Sequence, residues 1–141
     1  MTDLTTLLGL GTADLDTVRT VLAAQDATPE PVSGYQSLTD VEVIDAPGGE
    51  RIFVRDGEVQ LVYVGTAALG DLTAEELEQV LGADEETLGS RQGRHAELHV
   101  VAGRGVAWSE EDGEVGFVEL FPPTTTDDYR TRIYRQPRFV R

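Results

Sequence analysis

A β-hairpin is predicted by the stretch IFVRDGEVQLVYV at residues 52–64, where alternating apolar side chains flank an Asp-Gly turn dipeptide. A second stretch, VAWSEEDGEVGFVEL at residues 106–120, has the same pattern, and its additional acidic residues predict a longer turn. Both contain the tetrapeptide Asp-Gly-Glu-Val, at residues 56–59 and 112–115. Two similar hairpins in one short chain indicate an internal repeat.

Each hairpin is preceded by one more predicted strand and, before that, by a predicted helix. The first helix is expected over residues 12–25, where Leu15, Val18 and Leu22 fall on one helical face. The additional strands are expected at residues 41–44 and 96–101, which are short and rich in apolar or β-branched residues.

The second helix has a clear start signal. Thr73 and Glu76 have the spacing of a capping box, in which each side chain bonds the other residue's backbone N–H. The predicted buried stripe of this helix consists of Leu77, Val80 and Leu81.

The chain therefore divides into two helix–strand–strand–strand units, residues 1–66 and 67–122, followed by a C-terminal segment, residues 123–141. Neither unit has enough apolar surface for a core of its own, so the two sheets should join edge to edge. We predict one α+β domain, with an antiparallel sheet of about six strands and helices on one face.

The C-terminal segment is predicted to contain a short helix capped by Thr126. Tyr129 and Ile133, four residues apart, would face the body of the protein. Acidic residues early in this helix and arginines later in it suit the helix dipole.

The helix starts also carry a family resemblance. LGLGT at residues 8–12 and GDLTAEEL at residues 70–77 are similar to the helix opening of small outer-membrane assembly lipoproteins of the SmpA/BamE type. The tandem helix-then-sheet pattern also resembles the β-lactamase inhibitor protein, whose concave sheet binds a partner protein. The resemblance implies this architecture and a binding role.

Composition excludes several classes of protein. The 141 residues include no cysteine, which excludes disulfide scaffolds, cysteine-ligated metals and cysteine nucleophiles. No apolar run approaches the ~20 residues of a membrane span, and the N-terminal residues do not have the pattern of a secretory leader. We expect a cytoplasmic protein with no membrane partner.

The formal charge is −15, and all 11 basic residues are arginine. Lysine and asparagine are both absent, which indicates a GC-rich genome or a salt-loving host, and both readings stay open. A body this acidic makes nucleic acid an unlikely partner, because nucleic-acid binding needs a basic surface.

The charge is unevenly distributed. Residues 130–141 contain five arginines and no acidic residue, so the rest of the chain carries −20. Arg130, Arg132, Arg135 and Arg138 either brace the acidic body or bind an acidic partner or RNA.

Two further groups are candidate functional residues. His95, Glu97 and His99 alternate along a predicted strand and could hold zinc or iron, or they form its solvated face. Trp108 and Phe117 either belong to the core beneath the helices or stand on the open sheet face as anchors for a partner.

No serine lies in a Gly-x-Ser-x-Gly elbow, and no glycine pattern has the context of a nucleotide-binding loop. The leading hypothesis is a non-enzymatic module that binds a protein partner through the open sheet face or the arginine-rich C-terminal segment, with self-association left open. The alternative is a metal-binding protein or metal-dependent enzyme centred on the histidine strand.

Overall fold

The computed structural model describes residues 3–137, and within them eight strands form one antiparallel sheet. In chain order the strands are β1 (Glu30–Pro31), β2 (Glu42–Asp45), β3 (Arg51–Arg55), β4 (Glu58–Gly65), β5 (Glu86–Gly89), β6 (Glu97–Val101), β7 (Val106–Glu111) and β8 (Glu114–Leu120). Their order across the sheet is β1-β2-β3-β4-β8-β7-β6-β5. The α+β class and the single antiparallel sheet are confirmed, with eight strands in place of about six.

The two hairpins have the same construction. Asp56 and Gly57 have φ angles of 52° and 78°, and Asp112 and Gly113 have 55° and 82°. Positive φ at both central residues is the geometry of a two-residue turn whose twist matches that of the strands. The longer turn predicted for the second hairpin is therefore wrong, because its acidic residues extend β7 instead of widening the loop.

The two halves of the sheet meet where β4 pairs with β8. Tyr63 lies directly opposite Glu119, and each is the seventh residue after the aspartate of its own turn. Val62 pairs with Leu120 on one side and Val64 with Val118 on the other. In the internal repeat Val62 corresponds to Val118 and Val64 to Leu120, so exchanging the two hairpins turns one of these pairs into the other. A local two-fold axis thus passes through the Tyr63–Glu119 pair.

Four helices pack on one face of the sheet. They are α1 (Leu4–Leu8), α2 (Leu15–Val21), α3 (Thr66–Leu69) and α4 (Ala74–Leu81), with a 3-10 turn at Leu10–Thr12. Their buried residues form one core cluster with strand residues such as Ile52, Val62, Trp108 and Val118.

Two details of these helices differ from the sequence prediction. The first helix is shorter than residues 12–25, since Asp14 caps it by accepting a hydrogen bond from the Thr17 N–H at 2.8 Å. In α4, Leu77 and Leu81 are buried as predicted, but Val80 is 46% exposed because it lies on the outer side of the helix.

The capping box of α4 is confirmed. The Glu76 N–H donates to the Thr73 hydroxyl at 3.2 Å, and the Thr73 N–H donates to the Glu76 carboxylate at the same distance. Both bonds satisfy N–H groups that a helix start otherwise leaves unpaired.

The opposite face of the sheet is also covered, so it is not the open surface on which partner binding was expected. A helix, α5 (Thr126–Arg132), and the loop around Leu38 pack there. Tyr129 and Ile133 are buried in this second core, as predicted, together with Phe53, Leu61 and Phe117. The cap of α5 is Thr125, one residue before the predicted Thr126.

No helix within residues 3–137 is long and apolar enough to cross a membrane.

Candidate functional site

The two predicted aromatic anchors lie inside the protein. Trp108 is 2% exposed on the helix side of the sheet, and Phe117 is 1% exposed on the other side. Neither can contact a partner in this conformation, so both act as core residues.

The three predicted metal ligands do not converge. His95 lies in the turn before β6, whereas Glu97 and His99 are on the strand itself. The His99 ring is already bonded on both sides, with Nδ1 at 3.1 Å from Asp84 and Nε2 at 3.1 Å from Glu110. Over the described part of the chain, no three histidine or carboxylate side chains form a group that could hold a metal ion.

His99 instead belongs to a charged cluster stacked on Trp108, with ring centroids 4.3 Å apart. Burial lowers the pKa of His99, but its bonds to Asp84 and Glu110 outweigh that and raise the pKa above the usual 6.5. The pKa of Glu110 is lowered, first by a backbone hydrogen bond from Gly113. The cluster therefore favours a protonated ring between two carboxylates.

Of the predicted partner-binding arginines, two form ion pairs within the protein and a third is exposed. Arg130 pairs with Glu86 at 3.2 Å, and Arg132 pairs with Asp128 at 3.1 Å. Arg135 is exposed and makes no ion pair with the residues that the structure describes. Arg138, predicted with them, lies outside the described residues.

Arg135 lines a cleft beside the segment that follows α5. The cleft has a volume of about 820 Å³, and its lining residues are Gln36, Arg91, Arg135, Gln136 and Pro137. A space of this size is within the range of small-molecule and peptide side-chain sites, about 300–1,000 Å³.

The walls of the cleft are fixed by hydrogen bonds between distant segments. Ser37 donates its N–H to the Ile133 carbonyl at 2.9 Å and its hydroxyl to the Tyr134 carbonyl at 2.8 Å. The Tyr134 hydroxyl in turn donates to the Gly89 carbonyl at 2.8 Å. The chain after α5 is thereby held against both the loop around Gln36 and the end of β5.

The Arg91 guanidinium is one of the groups that line the cleft. It lies over three aromatic rings, with its central carbon 4.2 Å from Phe117, 5.0 Å from Tyr35 and 5.9 Å from Tyr63. One N–H donates to the Tyr35 hydroxyl at 2.9 Å, and the side chain is 33% exposed. Stacking and this hydrogen bond hold the cation in place. A second guanidinium nitrogen lies 3.8 Å from the buried Glu119 carboxylate, and the exposed third of the side chain lines the cleft.

The turn that carries Arg91 is held by side-chain hydrogen bonds of its two neighbours, Ser90 and Gln92. The hydroxyls of Ser90 and Ser109 are buried and 2.6 Å apart, and the Ser109 hydroxyl also donates to Gln92 at 2.7 Å. This anchor fixes the backbone on both sides of Arg91.

Beneath Arg91 lies a buried carboxylate, Glu119, which is 1% exposed. Hydroxyl donors from Tyr35 and Tyr129 bond its two oxygens, and Arg91 is 3.8 Å away. Burial raises the pKa of Glu119, while the two tyrosines and Arg91 oppose that shift. Burial and the nearby carboxylate also raise the pKa of both tyrosines, which keeps them protonated as donors.

Sequence reasoning did not find this network. One signal was present, since Glu119 breaks the apolar alternation of its hairpin, and a charge at a buried position requires partners. Its partners Tyr35 and Arg91 are far away in the chain, and no local pattern connects them.

Comparison with protein-family models, curated proteins and solved structures finds no match to this chain. The resemblance to SmpA/BamE-type repeats and to the β-lactamase inhibitor protein accordingly stays a prediction.

Proposed function

We propose that the protein is a non-enzymatic interaction module of the cytoplasm, which binds an acidic segment of a partner protein in the Arg91–Arg135 cleft. The observation that carries this proposal is that two arginines line one cleft, Arg91, which is held by stacking on aromatic rings, and the exposed Arg135. The arginine-rich end of the chain was one of the two surfaces expected to bind a partner. The other, the sheet face, is covered.

The chemistry of Arg91 suits a carboxylate ligand. A planar guanidinium presents N–H donors as a fork that matches the two oxygens of an Asp or Glu side chain. Because the ring stack and the Tyr35 bond already immobilise Arg91, binding costs little further conformational entropy.

Charge makes the cleft selective. The protein as a whole carries −15, so an acidic ligand is repelled from most of its surface and attracted only where arginines are concentrated. Gln36 and Gln136 add amide donors and acceptors at the rim of the cleft. An acidic segment with polar neighbours therefore fits better than an apolar one.

The test is an NMR titration of the intact protein with a hexaglutamate peptide, following the arginine side-chain Nε–H signals. We expect the Arg91 and Arg135 signals to shift first, and a hexaglutamine peptide to shift neither. Arg135→Gln should weaken binding without unfolding the protein, because Arg135 is exposed. The matched control is Arg104→Gln, an exposed arginine away from the cleft.

Equal shifts of the Arg104 and Arg91 signals would show general charge attraction and refute a dedicated site. An unchanged affinity in Arg135→Gln would remove that residue from the site.

A further inference from the structure

A second groove lies on the helix side of the sheet, opposite the Arg91–Arg135 cleft. Its volume is about 680 Å³, and it is bounded by the end of α2, the turn between β2 and β3, and α3. Most of its lining is apolar, including Leu7, Leu22, Pro47 and Ala67. The one charged residue that lines it is Glu50, among the residues that the structure describes.

Glu50 is in an unusual state for a carboxylate. It is 8% exposed, and its Oε1 atom is buried with no hydrogen-bond partner among residues 3–137. A buried oxygen without a donor costs free energy, and native proteins tolerate such atoms where function requires them. No other buried side-chain nitrogen or oxygen in the described part of the chain lacks a partner.

Backbone hydrogen bonds fix the turn that carries Glu50, and a glycine in the turn leaves room for the Glu50 carboxylate. The Ala46 N–H donates to the Glu50 carbonyl at 2.9 Å, and the Gly49 N–H donates to the Ala46 carbonyl at 3.0 Å. A Cβ at position 48 would lie 2.6 Å from Glu50 Oε1, so Gly48 leaves the space that the carboxylate occupies.

We propose that this groove binds a lysine side chain of a partner protein, with the ammonium bonded to Glu50 and the alkyl stem along the apolar walls. An ammonium is a compact charge that a single carboxylate oxygen can accept, whereas a guanidinium is matched to two oxygens. The four-carbon stem of lysine can be buried while its charge is paired. The charge of −15 attracts a basic partner from a distance.

The occupant must come from outside the chain. The sequence contains no lysine, so neither this molecule nor a second copy of it can supply a lysine side chain. This site is separate from the acidic-segment site proposed above, and either can fail without the other.

The experiment uses the intact protein and the acetylated, amidated tripeptide Leu-Lys-Leu, followed by backbone-amide NMR. We expect the amides of Gly48, Gly49 and Ala67 to shift, and Glu50→Gln to weaken binding about tenfold, as loss of a charged hydrogen bond would do. Glu58→Gln is the matched control, because Glu58 is exposed at the other end of the same hairpin. Gly48→Ala should also weaken binding by displacing the carboxylate.

Three comparisons make the test decisive. A peptide with norleucine in place of lysine should bind at least about tenfold more weakly, and equal binding would show that the ammonium is not recognised. Free hexylammonium binding as tightly as the peptide would overturn the assignment to a polypeptide. Because Glu50 has an unpaired oxygen, Glu50→Gln should not lower the melting temperature, and a clear loss would mean that Glu50 has a structural partner instead.

Discussion

Replacing Tyr129 with phenylalanine tests whether Glu119 is held as a buried, ionised carboxylate. The substitution removes one hydroxyl donor from Glu119 Oε1 and leaves the ring, which is 1% exposed, in place. A hydrogen bond to a charged group contributes about 1.5–3 kcal/mol, and water cannot replace the donor in a buried site. For a domain of this length we expect the melting temperature to fall by roughly 5–9 °C.

The assay is thermal unfolding, with urea unfolding for the free energy, followed by the fluorescence of the single tryptophan, which is buried in the native state. Tyr134→Phe is the matched control, since its hydroxyl donates to a neutral backbone carbonyl at 2.8 Å. We expect the control to cost about 1 kcal/mol or less. In a Glu119→Gln background, Tyr129→Phe should cost no more than the control, because the charged acceptor is gone. Equal effects of Tyr129→Phe and Tyr134→Phe in the native background would refute an ionised Glu119.

Three further predictions concern other parts of the molecule. The raised pKa of His99 means that the stability from its protonated ring is complete below pH 6.5 and is lost as pH rises through the folded-state pKa. The melting temperature of the native protein should therefore fall relative to His99→Gln above pH 6.5, and parallel curves in calorimetry would contradict the pairing with Asp84 and Glu110. Thr73→Ala should cost about 1 kcal/mol in urea unfolding by removing a helix cap, and an unchanged midpoint would mean that the cap contributes nothing. Elemental analysis of untagged protein purified without chelator should find no near-equimolar zinc or iron, whereas stoichiometric metal that disappears in His99→Ala would restore the metal hypothesis.

Local sequence signals were sufficient for the features that a few neighbouring residues determine. The Asp-Gly turns and the capping box were predicted because their geometry depends on residues within three or four positions. The two edge strands, β1 and β5, were not predicted, because such local signals are absent from them. β1 is two residues long and contains Pro31, and β5 contains little apolar alternation. Both are strands because they pair with β2 and β6, which no local pattern reveals.

The position of the C-terminal helix shows a different limit. The spacing of Tyr129 and Ile133 predicted correctly that one side of this helix is buried. Spacing does not indicate which face of the sheet receives it, because that depends on the route of the chain after β8. Consecutive apolar residues in a strand indicate that both faces of the sheet are covered, because neighbouring side chains point to opposite faces. Leu61 and Val62 are such a pair, and they are buried on opposite faces.

The Arg91–Arg135 cleft lies where the internal repeat stops being symmetric. Tyr63 and Glu119 face each other across the local two-fold axis, so an exact repeat would place identical side chains there. A carboxylate on one side of the axis requires donors, and these come from segments outside the hairpins, namely Tyr35, Tyr129 and Arg91. Arg91 in turn stacks on Tyr63, the other member of the pair. The difference between Tyr63 and Glu119 at the axis is thus linked to the cleft through Arg91, which contacts both residues and lines the cleft.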